Sequence, residues 1–402
     1  MVFPTWQSSA LSLFLGCLAL TASQADEETL PSFASFIAQH GRVYTPGTQE
    51  YDLRRALFDE RIAAVKVQNG KPERLWTAGV NHLSDRTEQE LSQLRGWRGF
   101  AHKQHSSSGR AAQISRRRAG LFLGQSVENM IPDSISWGNL SAIKAETNQW
   151  ACGSCWALAA ATVLNAAAEK AGVPRTFSGQ DLVNCVPNPH HCGGTGGCEG
   201  ATVELAMDYV VRSGIRPDWE APYYGAAGRC DAGFGDGSSF LEAQETLESK
   251  TAVGVHQAPA GSPGRELGMQ FWERLPENEQ KPLMAALVQH GPVAISAAAS
   301  GWNEYSSGIF NSCDVNAIID HAVTLFGYGS DAETRVPFWE IKNSWGLFWG
   351  EGGNIRLLRT DQASCGIDNQ PEVGTGCDGG PSAVRVCGMC GILYDSVAVQ
   401  MR

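Results

Sequence analysis

Cysteine constrains this chain more than any other residue. Twelve occur among 402 residues, at positions 17, 152, 155, 185, 192, 198, 230, 313, 365, 377, 387 and 390. The first lies in the apolar run 11–20, which is too short to span a bilayer. Small residues follow, and Ser23-Gln24-Ala25 before Asp26-Glu27-Glu28 suits signal-peptidase cleavage after Ala25, although the leader carries no Lys or Arg. Loss of Cys17 leaves eleven cysteines, an odd number. In an oxidising compartment that means disulfides plus one free thiol in need of a role. The expected location is the secretory pathway, ending in a lysosome- or endosome-like vacuole or outside the cell. No later stretch of about 18 apolar residues occurs, so no membrane anchor is expected.

The formal charge of −11 is unevenly spread. Residues 26–130 hold 15 Lys/Arg against 12 Asp/Glu, a net of +3, and residues 131–402 hold the remaining 16 against 30, a net of −14. The two halves can attract each other, and the charge gives no reason to expect nucleic acid as a partner. Residues 26–98 read as charged helices, with Leu53, Leu57 and Val65 at helical spacing. Residues 101–120 are polar and Arg-rich, an exposed linker in which Arg116-Arg117-Arg118 reads equally as a processing site or as a solvated basic loop. Globular texture begins at Ile131. Residues 155–171 favour helix, stopped by Gly172 and Pro174. After about residue 290, strand-like segments dominate: 293–296, 322–326, 338–341, 354–358 and 392–399. The pattern is α+β.

The segment from Gln149 to Trp156 (QWACGSCW) carries the strongest chemical signal. A thiol attacks only as thiolate, and Cys155 opens the alanine-rich helix, where free N–H groups and the dipole favour an anion. Cys152 can anchor the loop in a disulfide. Gln149 can point its amide at a reacting carbonyl and, with the Cys155 N–H, form an oxyanion hole. The general base is read as His321, at the head of an apolar strand; a lone histidine there is ordinarily a core residue. What distinguishes it is Lys342-Asn343-Ser344-Trp345-Gly346 in the next strand-like segment. The Asn343 oxygen can accept the imidazole N–H and set its tautomer, while Trp345 shields that bond.

With these residues the chain resembles the papain family of cysteine proteases, cathepsin L-like, over nearly all of residues 30–370. The resemblance implies a two-subdomain fold, a helical half and a β-barrel-like half meeting at a cleft, behind an N-terminal helical prodomain. It implies a cysteine endopeptidase working through a thioester, with Gln149, Cys155, His321 and Asn343 in the roles above and no cofactor or metal. His321 and Asn343 lie 166 and 188 residues after Cys155, beyond the usual spacing, and extra length around 231–268 accounts for the excess. The prodomain pattern Glu50, Arg54, Phe58 and Asn69 is present, with Arg61 and Val65 where the family prefers Asn and Ile. A second prodomain motif spans Gly79–Asp85, with Leu83 replacing Phe. The implied division is a signal peptide (1–25), an inhibitory prodomain (26–100), a linker with the activation site (101–130) and a catalytic domain (131–402) with an extended segment 371–402. The partners expected are peptide and protein substrates and the chain's own prodomain as inhibitor, acting on a monomer.

By the same resemblance, cleft residues are Gly197, Glu199, Gly200, Asp320, Trp345 and Trp349, with Ala201 standing where a second glycine is usual. The implied disulfides are Cys152–Cys198, Cys185–Cys230, and Cys313 with a C-terminal cysteine, Cys365 or alternatively Cys390. If the final strand follows Cys390, Asp395 lies near the floor of the pocket that selects the P2 side chain; if it follows Cys365, Gln370 does. Five bridges would then leave Cys155 free, with the pairing of Cys192, Cys377 and Cys387 open. A seven-residue insertion near Pro187–Gly193 holds His190-His191-Cys192; a metal site or an exopeptidase's occluding loop are possible readings, and a surface loop is preferred because no further ligands complete a metal site. Asn139-Leu140-Ser141 is a glycosylation sequon.

Overall fold

The computed structural model describes Met1 and residues 30–96, 131–230 and 254–402. The expected leader, the linker 101–130 with its three arginines and residues 231–253 lie outside the described residues.

The N-terminal unit holds α1 (Phe33–Gln39), α2 (Gln49–Asn69), strand β1 (Trp76–Ala78) and α3 (Glu88–Leu94). Thr48 caps α2 by accepting from the Tyr51 N–H. Thr87 and Glu90 form a reciprocal capping box on α3. Glu90 also receives the Arg54 guanidinium, so cap and ion pair lock α3 to α2. Phe58 packs with Phe33 and Phe36 in a small separate core. Asn69 brackets Ala78, donating to its carbonyl at 2.8 Å and accepting from its N–H at 2.9 Å. That bracket aligns β1 for pairing with β6 (Tyr305–Phe310) of the second unit. Leu83, Leu91 and Leu94 are buried in the second unit's core.

The second unit follows in the order β2 (Ile135–Ser136), α4 (Ser141–Lys144), α5 (Cys155–Lys170), α6 (Gly179–Cys185), α7 (Val203–Ser213), β3 (Gly254–Gln257), α8 (Pro263–Glu266), β4 (Met269–Arg274), α9 (Gln280–His290) and β5 (Val293–Ala297). After β6 come β7 (His321–Ser330), β8 (Pro337–Lys342), β9 (Asn354–Leu358), β10 (Cys365–Asp368), β11 (Val384–Cys387) and β12 (Ser396–Met401). The main sheet runs β1-β6-β9-β8-β7-β5-β12-β4-β3, with β2 beside β7. Among the described residues this is an open ladder; the barrel-like half expected from the sequence does not close, because β1 and β3 at the two ends of the path do not pair with each other.

Side chains alternate across the central strands. Val293, Ile295, Val323, Leu325 and Ala398 enter the core of the β half. Ala294, Ala322, Val397 and Val399 face α5. The alanines of α5 let that helix lie directly on the sheet, and it is buried almost all round. The packing brings the first residue of α5, Cys155, to the same edge as the first residue of β7, His321.

Among the described residues five disulfides form: Cys152–Cys198, Cys185–Cys230, Cys192–Cys377, Cys313–Cys390 and Cys365–Cys387. Cys155 is the free thiol among the described residues. Of the two partners left open for Cys313, Cys390 rather than Cys365 is the one it joins. The cause is local: the β10–β11 hairpin sets Cys365 directly opposite Cys387. Cys390 is left beside Trp302, whose indole N–H points at its sulfur. Among the described residues no helix is long and apolar enough to cross a membrane.

Candidate active site

The loop before α5 is held by Cys152–Cys198 and by the Gly153 N–H donating to the Cys198 carbonyl at 3.0 Å. Gln149 is fully buried beneath it. Its side-chain oxygen accepts from the Ser344 hydroxyl, which leaves the amide nitrogen aimed into the cleft. On the opposite wall, the antiparallel β7–β8 pairing places Asn343 beside His321, and His321 Nε2 lies 2.7 Å from Asn343 Oδ1. The Asn343 oxygen can only accept, so Nε2 carries the proton and donates. His321 Nδ1 is buried without a hydrogen-bond partner among the described residues, and the ring lines the same small cavity as Cys155. Trp345 lies 5.1 Å from the imidazole, ring to ring, and Trp302 6.1 Å.

The N-terminal unit fills the cleft. The Leu94 carbonyl accepts from Gln149 Nε2 at 2.7 Å, so the amide that would polarise a substrate carbonyl is already occupied. Arg95 forms a buried 2.8 Å ion pair with Asp320, whose other oxygen accepts from the Ala299 N–H. Gly96, at φ +84°, turns the chain so closely over the site that an added Cβ would lie 3.7 Å from the Cys155 sulfur. This covering explains the electrostatics. Burial pushes the Cys155 thiol up to about 11. Burial holds His321 down at about 4, with the Asn343 hydrogen bond opposing and the Arg95 charge reinforcing. Burial raises Asp320 to about 6 despite Arg95. Thiol and imidazole are both neutral while the cleft is covered.

Gly200 and Asp320 line the cavity with Cys155 and His321. Gly197 lies behind it, accepting from the Trp156 indole. Glu199 bridges to Gly153. Trp345 and Trp349 are buried behind His321 in the covered zymogen; Trp349 donates to the Trp302 carbonyl. Asn139 is exposed. The insertion is a surface loop, with Pro187, Pro189 and His191 exposed, and it is tied to the β half through Cys192–Cys377. Among the described residues no group of His, Cys, Asp or Glu could hold a metal ion.

Sequence reading missed Leu94, Arg95 and Gly96. Their signal is a capped seven-residue helix followed by Arg-Gly, a positively charged stop ahead of a left-handed turn.

Asp395, not Gln370, underlies the pocket wall. It accepts from Ser296, a cavity-lining residue, at 2.7 Å, and Gln370 is exposed at the start of a 3-10 turn. Arg274 lies 3.1 Å from Asp395 and 3.3 Å from Glu204. Burial and the neighbouring Asp395 charge push the Glu204 carboxyl well up, so the two carboxylates share a proton above one guanidinium.

Residues 131–375 match the papain family cysteine protease description, and residues 33–91 match the cathepsin propeptide inhibitor domain. The senescence-specific cysteine protease SAG12 of Arabidopsis thaliana is 28% identical over 87% of this chain and 92% of its own. Procathepsin L of Mus musculus is 27% identical over 89% and 96%. Among solved structures, the recombinant stem bromelain precursor superposes with a TM-score of 0.63 at 24% identity, covering 92% of this chain and 98% of that one. The digestive procathepsin L 3 of Tenebrio molitor larval midgut gives 0.61 at 21%, over 92% and 97%. These two likenesses concern the fold. The chain belongs to the papain family of cysteine proteases and is a zymogen carrying the family's inhibitory propeptide.

Proposed function

We propose that peptide-bond hydrolysis by this enzyme runs through Cys155 and His321. Once the prodomain leaves, water reaches the helix tip and the penalties on both charged forms fall. Proton transfer from sulfur to His321 Nδ1 then gives a thiolate–imidazolium pair, sustained by the N–H groups of α5 and the Asn343 hydrogen bond. The thiolate attacks the scissile carbonyl; Gln149 Nε2 and the Cys155 N–H receive the oxyanion. His321 returns its proton to the leaving amine, a thioester remains, and water activated by the same imidazole hydrolyses it. The observation that carries this reading is Gln149 Nε2 donating to a prodomain carbonyl, the contact a substrate carbonyl would make.

The division at residues 25, 100 and 130, a monomeric state, and passage through the secretory pathway to a vacuole or the exterior belong to the same proposal. So does a P2 pocket floored by Asp395 and neutralised by Arg274, which favours uncharged P2 side chains. An epoxide active-site probe tests the core of it. The matured enzyme takes up one label per chain, Cys155→Ala takes up none, and the intact zymogen reacts far more slowly. Equal labelling of Cys155→Ala would refute the assignment.

A further inference from the structure

Two segments outside the catalytic elements meet across the cleft. The segment 187–197, which contains the insertion Pro187–Gly193, grows from the helical half between α6 and α7; the segment 371–382 grows from the β half between β10 and β11. Cys192–Cys377 bonds them covalently over a sequence separation of 185. The Gly193 N–H donates to the Gly376 carbonyl at 2.9 Å, and the Asp378 N–H to the His190 carbonyl at 2.8 Å. His191 Nδ1 lies 2.9 Å from Asp378 Oδ2. Each half of this strap also covers a cleft wall. Gly193 packs so closely that a Cβ would lie 3.1 Å from the Ala201 carbonyl, on the wall expected to pair with an extended substrate, and 2.5 Å from the Gly374 carbonyl. Gly374 packs on Ile319 and Asp320 of the other wall. Both glycines line the cavity that holds Cys155, His321, Val203 and Ser296.

Ser296 sits above Asp395, so the strap crosses on the side of the P2 pocket, away from Gln149 and Trp345. An extended peptide needs a free backbone edge and an open groove to continue past that pocket, and here Gly193 is packed against the Ala201 carbonyl and the two halves are joined by Cys192–Cys377. We propose that the strap ends the useful cleft at P2, so that this enzyme selects substrates by P2, P1 and the residues after the scissile bond and gains nothing from P3 or P4. The inference rests on the assignment of Cys155 and His321.

The test is a length series of amino-blocked fluorogenic peptides with the same P2 and P1, extended to P3 and P4, cut by the matured enzyme without excess reductant. Expected is a change in kcat/KM of less than threefold on extension. A gain of tenfold or more would overturn the proposal. The double variant Cys192→Ala/Cys377→Ala, which removes the staple without leaving a thiol, is expected to acquire a dependence on P3 of at least fivefold; a series superimposable on that of the unaltered enzyme would count against the strap. If the variant does not fold, the series on the unaltered enzyme decides alone. Titration with a dipeptidyl epoxide accompanies both: lack of labelling indicts the catalytic assignment, whereas labelling with a steep length dependence indicts the strap.

Discussion

Replacing Arg95 by alanine should loosen the zymogen without touching the catalytic residues. Arg95 and Asp320 are 7% and 8% exposed, and their 2.8 Å contact lies directly against the cleft. Removing one partner of a buried pair costs about 3–5 kcal/mol when the other charge stays buried. Here Asp320 keeps the Ala299 N–H and regains water when the prodomain lifts, so the charge-assisted hydrogen bond, about 2–3 kcal/mol, is the better measure. At about 1.4 kcal/mol per tenfold, the open population rises roughly 30- to 150-fold. Cys155 is the free thiol among the described residues, so intact-mass measurement of iodoacetamide uptake at pH 7 reports opening directly. Arg95→Lys, which keeps charge but loses the planar fork, should fall between. Glu88→Gln is the control: Glu88 also contacts Arg95 but is 69% exposed, and its removal should matter little. Alkylation of Arg95→Ala within threefold of the unaltered zymogen would refute the argument that this pair holds the cleft shut.

Two further predictions concern pH and specificity. His82 and His321 are both held near 4 by burial, against about 6.5 in water. A depressed histidine stabilises the folded, covered zymogen above pH 6.5 and loses that contribution as pH falls from 6.5 towards 4, by roughly 2–3 kcal/mol each at pH 4.5. Asp320, raised to about 6, works in the opposite sense, and Glu90, held near 2 by its ion pair and cap, gives way only below about pH 4.5. Processing of the purified zymogen should therefore be at least tenfold faster at pH 4.5 than at pH 7, with the difference reduced in His82→Gln; equal rates at both pH values would defeat the idea. The acid response thus rests on buried histidines rather than on the acidic surface at large. In the P2 pocket, a peptide library should show arginine at P2 disfavoured at least tenfold against valine or leucine, and Arg274→Gln should narrow the gap by unmasking the two carboxylates. Equal use of arginine and leucine by the unaltered enzyme would show that Arg274 does not neutralise Asp395.

Much of the active site was legible because its parts are marked by short-range rules. A thiol at the head of an alanine-rich helix, a glutamine six residues earlier, and an Asn-Ser-Trp stretch after a strand each carry a local reason to exist. The inhibitory unit was legible for the same reason, through Arg54, Phe58 and Asn69. Its last residues were not. Leu94, Arg95 and Gly96 gain their meaning only from Gln149, Asp320 and Cys155, which lie at least 53 residues further along.

Taken alone, the sequence determined the odd cysteine count that singled out one thiol, the residues proposed to hold the chemistry, and the helical and strand segments that carry them, since capping, periodicity and helix-end electrostatics act over a few residues. Only the tertiary structure decided which cysteines pair, that Asp395 rather than Gln370 underlies the pocket, and that an insertion from each half closes over the cleft. Those outcomes depend on the β10–β11 register and on two segments 185 residues apart meeting in space. Distances of that kind are set by how α5 and the central sheet pack, and no local pattern encodes them.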